Sequence, residues 1–101
     1  MGEITSGCTI RYGATVVGDT EIIVETANTA DTADTVVLDL STYGIVDLLT
    51  IEGYVHTTEG SVVVAEAPTC AVSSGDLTIT VGGSTVSDKK RVYVVKGKGG
   101  I

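Results

Sequence analysis

The sequence has no Phe, no Trp and no Gln, and only one His, one Pro and one Met. Four Tyr are its only aromatics, so the ring platforms on which nucleic-acid bases stack are nearly missing. One imidazole and two distant cysteines, with no C-x-x-C pair, do not make a zinc ligand set. No apolar run approaches the roughly 20 residues that a helix needs to cross a bilayer. Basic residues are almost missing from positions 1–88, where Arg11 alone accompanies thirteen acids.

What is present is β-branched. Val, Thr and Ile supply 40 of the 101 residues. Such side chains lose rotamer freedom in helices and pack well on pleated sheets, so a helical bundle is excluded. With 43% apolar residues and a mean hydropathy of +0.36, the chain is also too apolar to be disordered. Its length suits one domain.

Strands follow from alternation and from turn residues. Residues 1–8 read as an irregular lead-in. Thr9 to Val17 has β propensity, broken at Gly13, and Gly18-Asp19 turns the chain. Thr20 to Thr26 alternates, with Ile22 and Val24 on one face. The Thr-Ala-Asp repeat of residues 26–35 has no large apolar residue and reads as an exposed, mobile loop outside the core. Val36, Leu38 and Leu40 point inward from the next strand, before the turn-like Ser41-Thr42-Tyr43-Gly44. Ile45 to His56 places Leu49, Ile51, Gly53 and Val55 on one face and Leu48 on the other. It pairs with Ser61 to Glu66 through the connection Thr57-Thr58-Glu59-Gly60.

Ala67-Pro68-Thr69 breaks that strand, since Pro cannot donate to a ladder. After a turn at Ser73-Ser74-Gly75, Leu77, Ile79 and Val81 point inward. Gly82-Gly83 is a hairpin signal, leading to a short strand Ser84–Ser87 and a turn at Asp88-Lys89-Lys90. Arg91 to Lys96 is the last strand, and residues 97–101 form a frayed tail. Ile23, Val37, Val63 and Val95 are expected opposite the core side, where several on one sheet would make a patch for a partner. The expected fold is a single all-β domain: a small antiparallel sandwich or barrel of seven to eight short strands.

Candidate chemistry is sparse. His56 shares a strand face with Glu52 and Tyr54, and any Ser–His or Cys–His pair would need it as base. A surface histidine facing a hairpin neighbour is the simpler reading. Asn28, Asp31 and Asp34 offer too few oxygens for the six to eight that calcium takes. Sugar recognition would have to rest on Tyr12, Tyr43, Tyr54 and Tyr93. Cys8 and Cys70, 62 positions apart, would gain about 4 kcal/mol from a bond in the chain-entropy model. Two reduced, buried thiols are the favoured alternative. We therefore expect no enzyme, no metal and no cofactor. The start, Met-Gly-Glu-Ile-Thr-Ser-Gly, lacks the basic and apolar regions of a secretory signal, so synthesis in the cytoplasm is expected.

Charge offers the one asymmetry. Residues 1–88 carry a net −12, whereas Lys89, Lys90, Arg91, Lys96 and Lys98 give the end +5. One reading is a protected edge, since Lys on an edge strand discourages aggregation. The other is contact with an acidic surface of a partner or a second copy, with Lys89, Lys90, Arg91, Lys96 and Lys98 as the contacts and Tyr93 as an anchor. Phosphates would be repelled by the acidic body, so nucleic acid is not the expected partner, nor is a membrane.

Four strings carry a resemblance. They are Val36-Val-Leu-Asp-Leu-Ser-Thr-Tyr-Gly44, Gly53-Tyr-Val-His-Thr-Thr-Glu-Gly60 with its valine return, Leu77-Thr-Ile-Thr-Val-Gly-Gly83, and Lys89-Lys-Arg-Val-Tyr-Val-Val95. The stretch from Val36 to Lys96 resembles small all-β proteins of tailed viruses that sit on the capsid surface, as decoration (cement) or head-completion proteins. The resemblance implies a virion protein without catalysis, made in the host cytoplasm. It would bind major capsid subunits or another virion protein, often as a homotrimer. It carries no functional residue with it. A subunit of an extracellular filament, adhesin or surface layer, or a small ligand- or sugar-binding module, remains the alternative.

Overall fold

The computed structural model describes residues 2–14, 19–58, 60–82 and 89–99. Eight strands run through them: β1 (Thr9–Ala14), β2 (Thr20–Glu25), β3 (Thr35–Asp39), β4 (Ile45–Thr58), β5 (Val62–Ala65), β6 (Thr69–Ser73), β7 (Asp76–Thr80) and β8 (Arg91–Gly99). All strand pairs are antiparallel. One sheet has five strands in the order β1-β2-β8-β4-β5, the other three in the order β3-β7-β6. The expected strand Ser84–Ser87, Gly83 and Asp88 of the turns beside it, Thr15 to Gly18, Glu59 and residues 100–101 of the tail lie outside the described residues.

The two inner faces share one core. Ile22, Val24, Tyr93, Val95 and Ile45 of the larger sheet meet Val36, Leu38, Leu77, Ile79 and Val81, all buried. The inward parity expected for β2, β3 and β7 is what the structure has. The β4–β5 hairpin also forms, pairing Val55 with Val64 and His56 with Val63. A two-residue turn at Ser74-Gly75, with φ of 52° and 83°, joins β6 to β7. Two positive φ values in sequence mark the type I′ hairpin, whose twist matches that of the strands. Asp39 caps a 3-10 turn over Leu40–Tyr43 by accepting from the Ser41 N–H at 3.0 Å, and Gly44 ends it with φ 74°.

Several expectations need correction. β1 continues through Gly13, which pairs with Glu21. In β4, Leu48 packs against the core, while Leu49 is 48% exposed. The register slips between Ile45 and Asp47 and between Leu48 and Thr50. Each slip is a bulge that turns one extra residue, Val46 and then Leu49, away from the alternation. Inward positions in β4 therefore fall at Ile45, Leu48, Ile51, Gly53 and Val55.

The last strand is neither an edge nor frayed. β8 runs between β2 and β4 and continues through Gly99. Gly97 is buried, and a Cβ there would meet Ile45 Cγ2 at 2.5 Å and Asp47 O at 3.0 Å. The parity of β8 is the reverse of that expected: Arg91, Tyr93 and Val95 face inward and are fully buried, and Val92 and Val94 face out. Such a one-residue shift exchanges every side chain between faces.

The Thr-Ala-Asp segment is not wholly exposed. Thr26, Ala30 and Asp34 are buried. The Thr26 N–H donates to Arg91 O at 2.9 Å, and the Arg91 N–H donates back to Thr26 Oγ1 at 2.8 Å. Small residues suit this place because backbone, rather than side chain, meets the core. The lead-in also has a structural task. Thr35 N–H donates to Gly2 O, Ile4 N–H to Thr35 O, and Val37 N–H to Thr5 Oγ1. These bonds close the free side of β3.

Candidate functional site

Arg91 lies at the centre of the most connected polar group. Its Nε and Nη2 donate to the two carboxylate oxygens of Glu66 at 3.0 and 3.3 Å. Nη1 donates to Ala30 O at 2.6 Å and to Lys89 O at 3.2 Å. A guanidinium is the one cation whose planar fork can be satisfied this way without water. Glu66 begins the three-residue arch 66–68, which carries the chain from β5 in one sheet to β6 in the other. Its N–H donates to Gly53 O at 2.9 Å. Position 53 requires glycine, because a Cβ would strike Glu66 O and stand 2.8 Å from Pro68 Cδ. The network thus pins the arch, the 26–30 segment and the start of β8 together.

The basic end does not gather into a patch. Lys89 is exposed. Lys90 Nζ is 2.6 Å from Glu25, and its hydrogen bond and charge hold that carboxyl below the ordinary value. Lys96 stands 3.9 Å from Glu21, its cross-strand neighbour, and exposed Lys98 is in register with Asp47. Arg91 and Tyr93, expected as partner contacts, are fully buried and present no side chain to a surface. Among the described residues the Tyr93 hydroxyl is the one buried side-chain polar atom without a hydrogen-bond partner. Burial, and then the charge of Glu66, push its pKa up.

The remaining candidates are local. His56 Nδ1 accepts from the Gly60 N–H at 3.3 Å, within its own hairpin. Tyr54 donates to Glu52 at 2.7 Å. Asp34 accepts from the N–H groups of Gly2 and Asp31, at 3.1 and 2.9 Å, and Asp31 from that of Thr32. Among the described residues no group of three His, Cys, Asp or Glu side chains is placed to hold a metal, and no helix is long and apolar enough to cross a membrane. Cys8 and Cys70 are not bonded to each other. Cys8 is half-buried and its thiol is raised by that burial, whereas Cys70 is exposed, against the expectation of burial. A hollow of about 270 Å³ lies between Ile4, Ser6 and Gly7 on one side and Ala27, Thr29 and Ala30 on the other. That is small for a ligand pocket.

The feature that reading the sequence missed is the other flank of the sandwich. β5 is the last strand of the larger sheet and β6 the last of the smaller. Every residue of both strands is exposed. Val62 and Val64 share the face of buried Val55, and Cys70 and Val72 that of buried Ile79 and Leu77, yet neither pair is covered. Between Ser61 and Ser73 the only charged residue is Glu66, and it is spent on Arg91. A signal was present: Val62-Val63-Val64 does not alternate, so one face or the other had to be left apolar and open. No known family model, curated protein or solved structure matches this chain.

Proposed function

We propose that the chain is a non-enzymatic structural protein of a virion, which binds the capsid surface through its β5–β6 flank and stabilises the shell. The observation that supports this reading is the pair of uncharged strand edges with half-exposed valines, Val62, Val63, Val64 and Val72. Sheet edges carry unpaired N–H and C=O groups, and soluble proteins ordinarily guard them with Lys, Pro, bulges or a covering segment. Here β3 is covered by the lead-in, while β5 and β6 present apolar side chains and free backbone together. A surface of that kind suits strand addition by a partner, with main-chain bonds giving affinity. The basic end contributes less than its charge suggests, since Lys90 and Lys96 have acidic neighbours within the chain and Arg91 is buried.

The test is co-sedimentation of the protein with expanded capsid shells, together with the melting temperature of those shells. Binding that Val63→Lys weakens, with a raised shell melting temperature, is expected. No binding and no change in shell stability would remove this reading. Open edges on both sheets, β1 and β5 on the larger and β6 on the smaller, also suit a filament subunit, and a native mass that grows without limit with concentration would favour that instead.

A further inference from the structure

The hydrogen bonds of the smaller sheet determine which backbone groups β6 leaves free. Thr35 and Val37 of β3 turn their N–H groups to the lead-in. In an antiparallel ladder, inward- and outward-bonding residues alternate. Val36 and Leu38 therefore bond to Ile79 and Leu77, their register partners on β7. Asp76, Thr78 and Thr80 then bond to Ser73, Ala71 and Thr69 on β6. The tight Ser74-Gly75 turn requires the same, since a two-residue hairpin closes on a bonded pair. Cys70 and Val72 are left with both N–H and C=O directed out of the sheet.

The geometry points to a second copy of this chain as the occupant of that edge. The β6 strands pair antiparallel about a two-fold axis at Ala71, joining two three-stranded sheets into one of six. The inference rests on the assembly reading above and names what one of its two edges binds. In this register Cys70 lies opposite Val72 of the second copy and Val72 opposite its Cys70. Every outward N–H and C=O of those residues is then used. Ala71 faces Ala71 and Thr69 faces Ser73, so small meets small and hydroxyl meets hydroxyl. An axis at Cys70 would set Val72 against Pro68, which has no N–H. An axis at Val72 would set Cys70 against Ser74, which belongs to the turn. β5 is less suited, because an axis at Val64 opposes Val62 with Glu66.

Charge agrees with a copy as partner. The chain carries −7, and β6 has no charged residue, so two copies meet here without like charges directly opposed. One short strand falls well below the roughly 800 Å² per partner of a stable interface, so the dimer is concentration-dependent. A two-fold pair differs from the trimer that the capsid-surface resemblance implies, which would need another face.

Cross-linking tests the register. In a non-hydrogen-bonded antiparallel pair the Cα atoms stand about 4.5 Å apart, within disulfide range. In full-length protein carrying Cys8→Ser and Cys70→Ser, the added change Ala71→Cys is expected to give a covalent dimer under mild oxidation. Val64→Cys in the same background is expected to stay monomeric. Light scattering on the unmodified chain should show mass rising with concentration. Val72→Lys, at a half-exposed site that the fold tolerates, should raise the dissociation constant at least tenfold. Raising salt to about 0.5 M screens the net charge and should strengthen the pair. Failure of Ala71→Cys to cross-link, preferential cross-linking at Val64→Cys, or dissociation at high salt would each overturn self-pairing at β6. Capsid co-sedimentation reads a different partner, so its outcome stands apart from these.

Discussion

Removing the Glu66 carboxylate should be the most damaging single change outside the apolar core. Arg91 is 0% exposed, and it gives Glu66 two hydrogen bonds and an ion pair. With Glu66→Ala, the guanidinium keeps the Ala30 and Lys89 carbonyls but loses this counter-charge in a site without water access. Breaking one side of such a pair costs about 3–5 kcal/mol, because the buried charge loses the carboxylate that faces it. A domain of this size has about 5–15 kcal/mol of stability in all. At about 4–8 °C per kcal/mol, the melting temperature should fall by about 12–40 °C. Urea unfolding followed by circular dichroism measures it directly. The double change Glu66→Leu with Arg91→Met should recover most of the loss, since apolar residues of similar volume fill the space without a charge to satisfy. A single-variant loss below about 1 kcal/mol, or a double variant no better than the single, would refute the assignment of Glu66 as the counter-charge.

Three other perturbations address the arch, the bulges and the buried aspartate. Gly53→Ala should destabilise by about 1–3 kcal/mol, because the new methyl overlaps the arch at Glu66 O and Pro68; thermal melting checks it. Leu49→Ser should change stability by less than about 0.5 kcal/mol, whereas Leu48→Ser should cost more than about 1 kcal/mol, and reversal of that order in urea titrations would remove the bulges that place Leu48 on the core. At Asp34, burial opposes ionisation while the N–H groups of Asp31 and Gly2 favour it, and the net effect is a pKa below the ordinary aspartate value. A depressed folded pKa means stability present above the unfolded value, near 3.8, and lost as pH falls through the lower folded one. Asp34→Asn should therefore flatten the acid limb of the stability–pH curve below about pH 4, and an unchanged limb would show that Asp34 contributes nothing there.

Alternation made β2, β3 and β7 legible, because each has one apolar and one polar face. It failed in β4, where two bulges break the period, and in β8, where both faces hold large or branched residues. Nothing local distinguishes Arg91 facing in from Arg91 facing out. The deciding partner, Glu66, is 25 positions away. The burial of Ala30 was hidden for a related reason, since its carbonyl, and not its side chain, is what Arg91 binds. As for the candidate site, the apolar content of residues 61–73 was readable, but its exposure depends on strand order. Only the order β4-β5 and β7-β6 makes both strands outermost.

That strand order also changes what the charge asymmetry means. A −12 body followed by a +5 end suggests a surface that seeks a partner. In the fold the basic strand lies between β2, which carries Glu21 and Glu25, and β4, which carries Asp47 and Glu52. Lys90 and Lys96 meet Glu25 and Glu21 there. Each exposed pair is worth little. Their joint effect is on specificity: β8 placed beside another basic strand, or at an edge away from the acids, would lose all of them. The charges thus favour one strand order, in the interior of a sheet, where unpaired backbone is not at issue. The uncharged edges of β5 and β6 carry no such discrimination, and their selectivity must come from backbone register and side-chain size. Pro68 and the Ser74-Gly75 turn bound β6 on either side, so this edge accepts few registers.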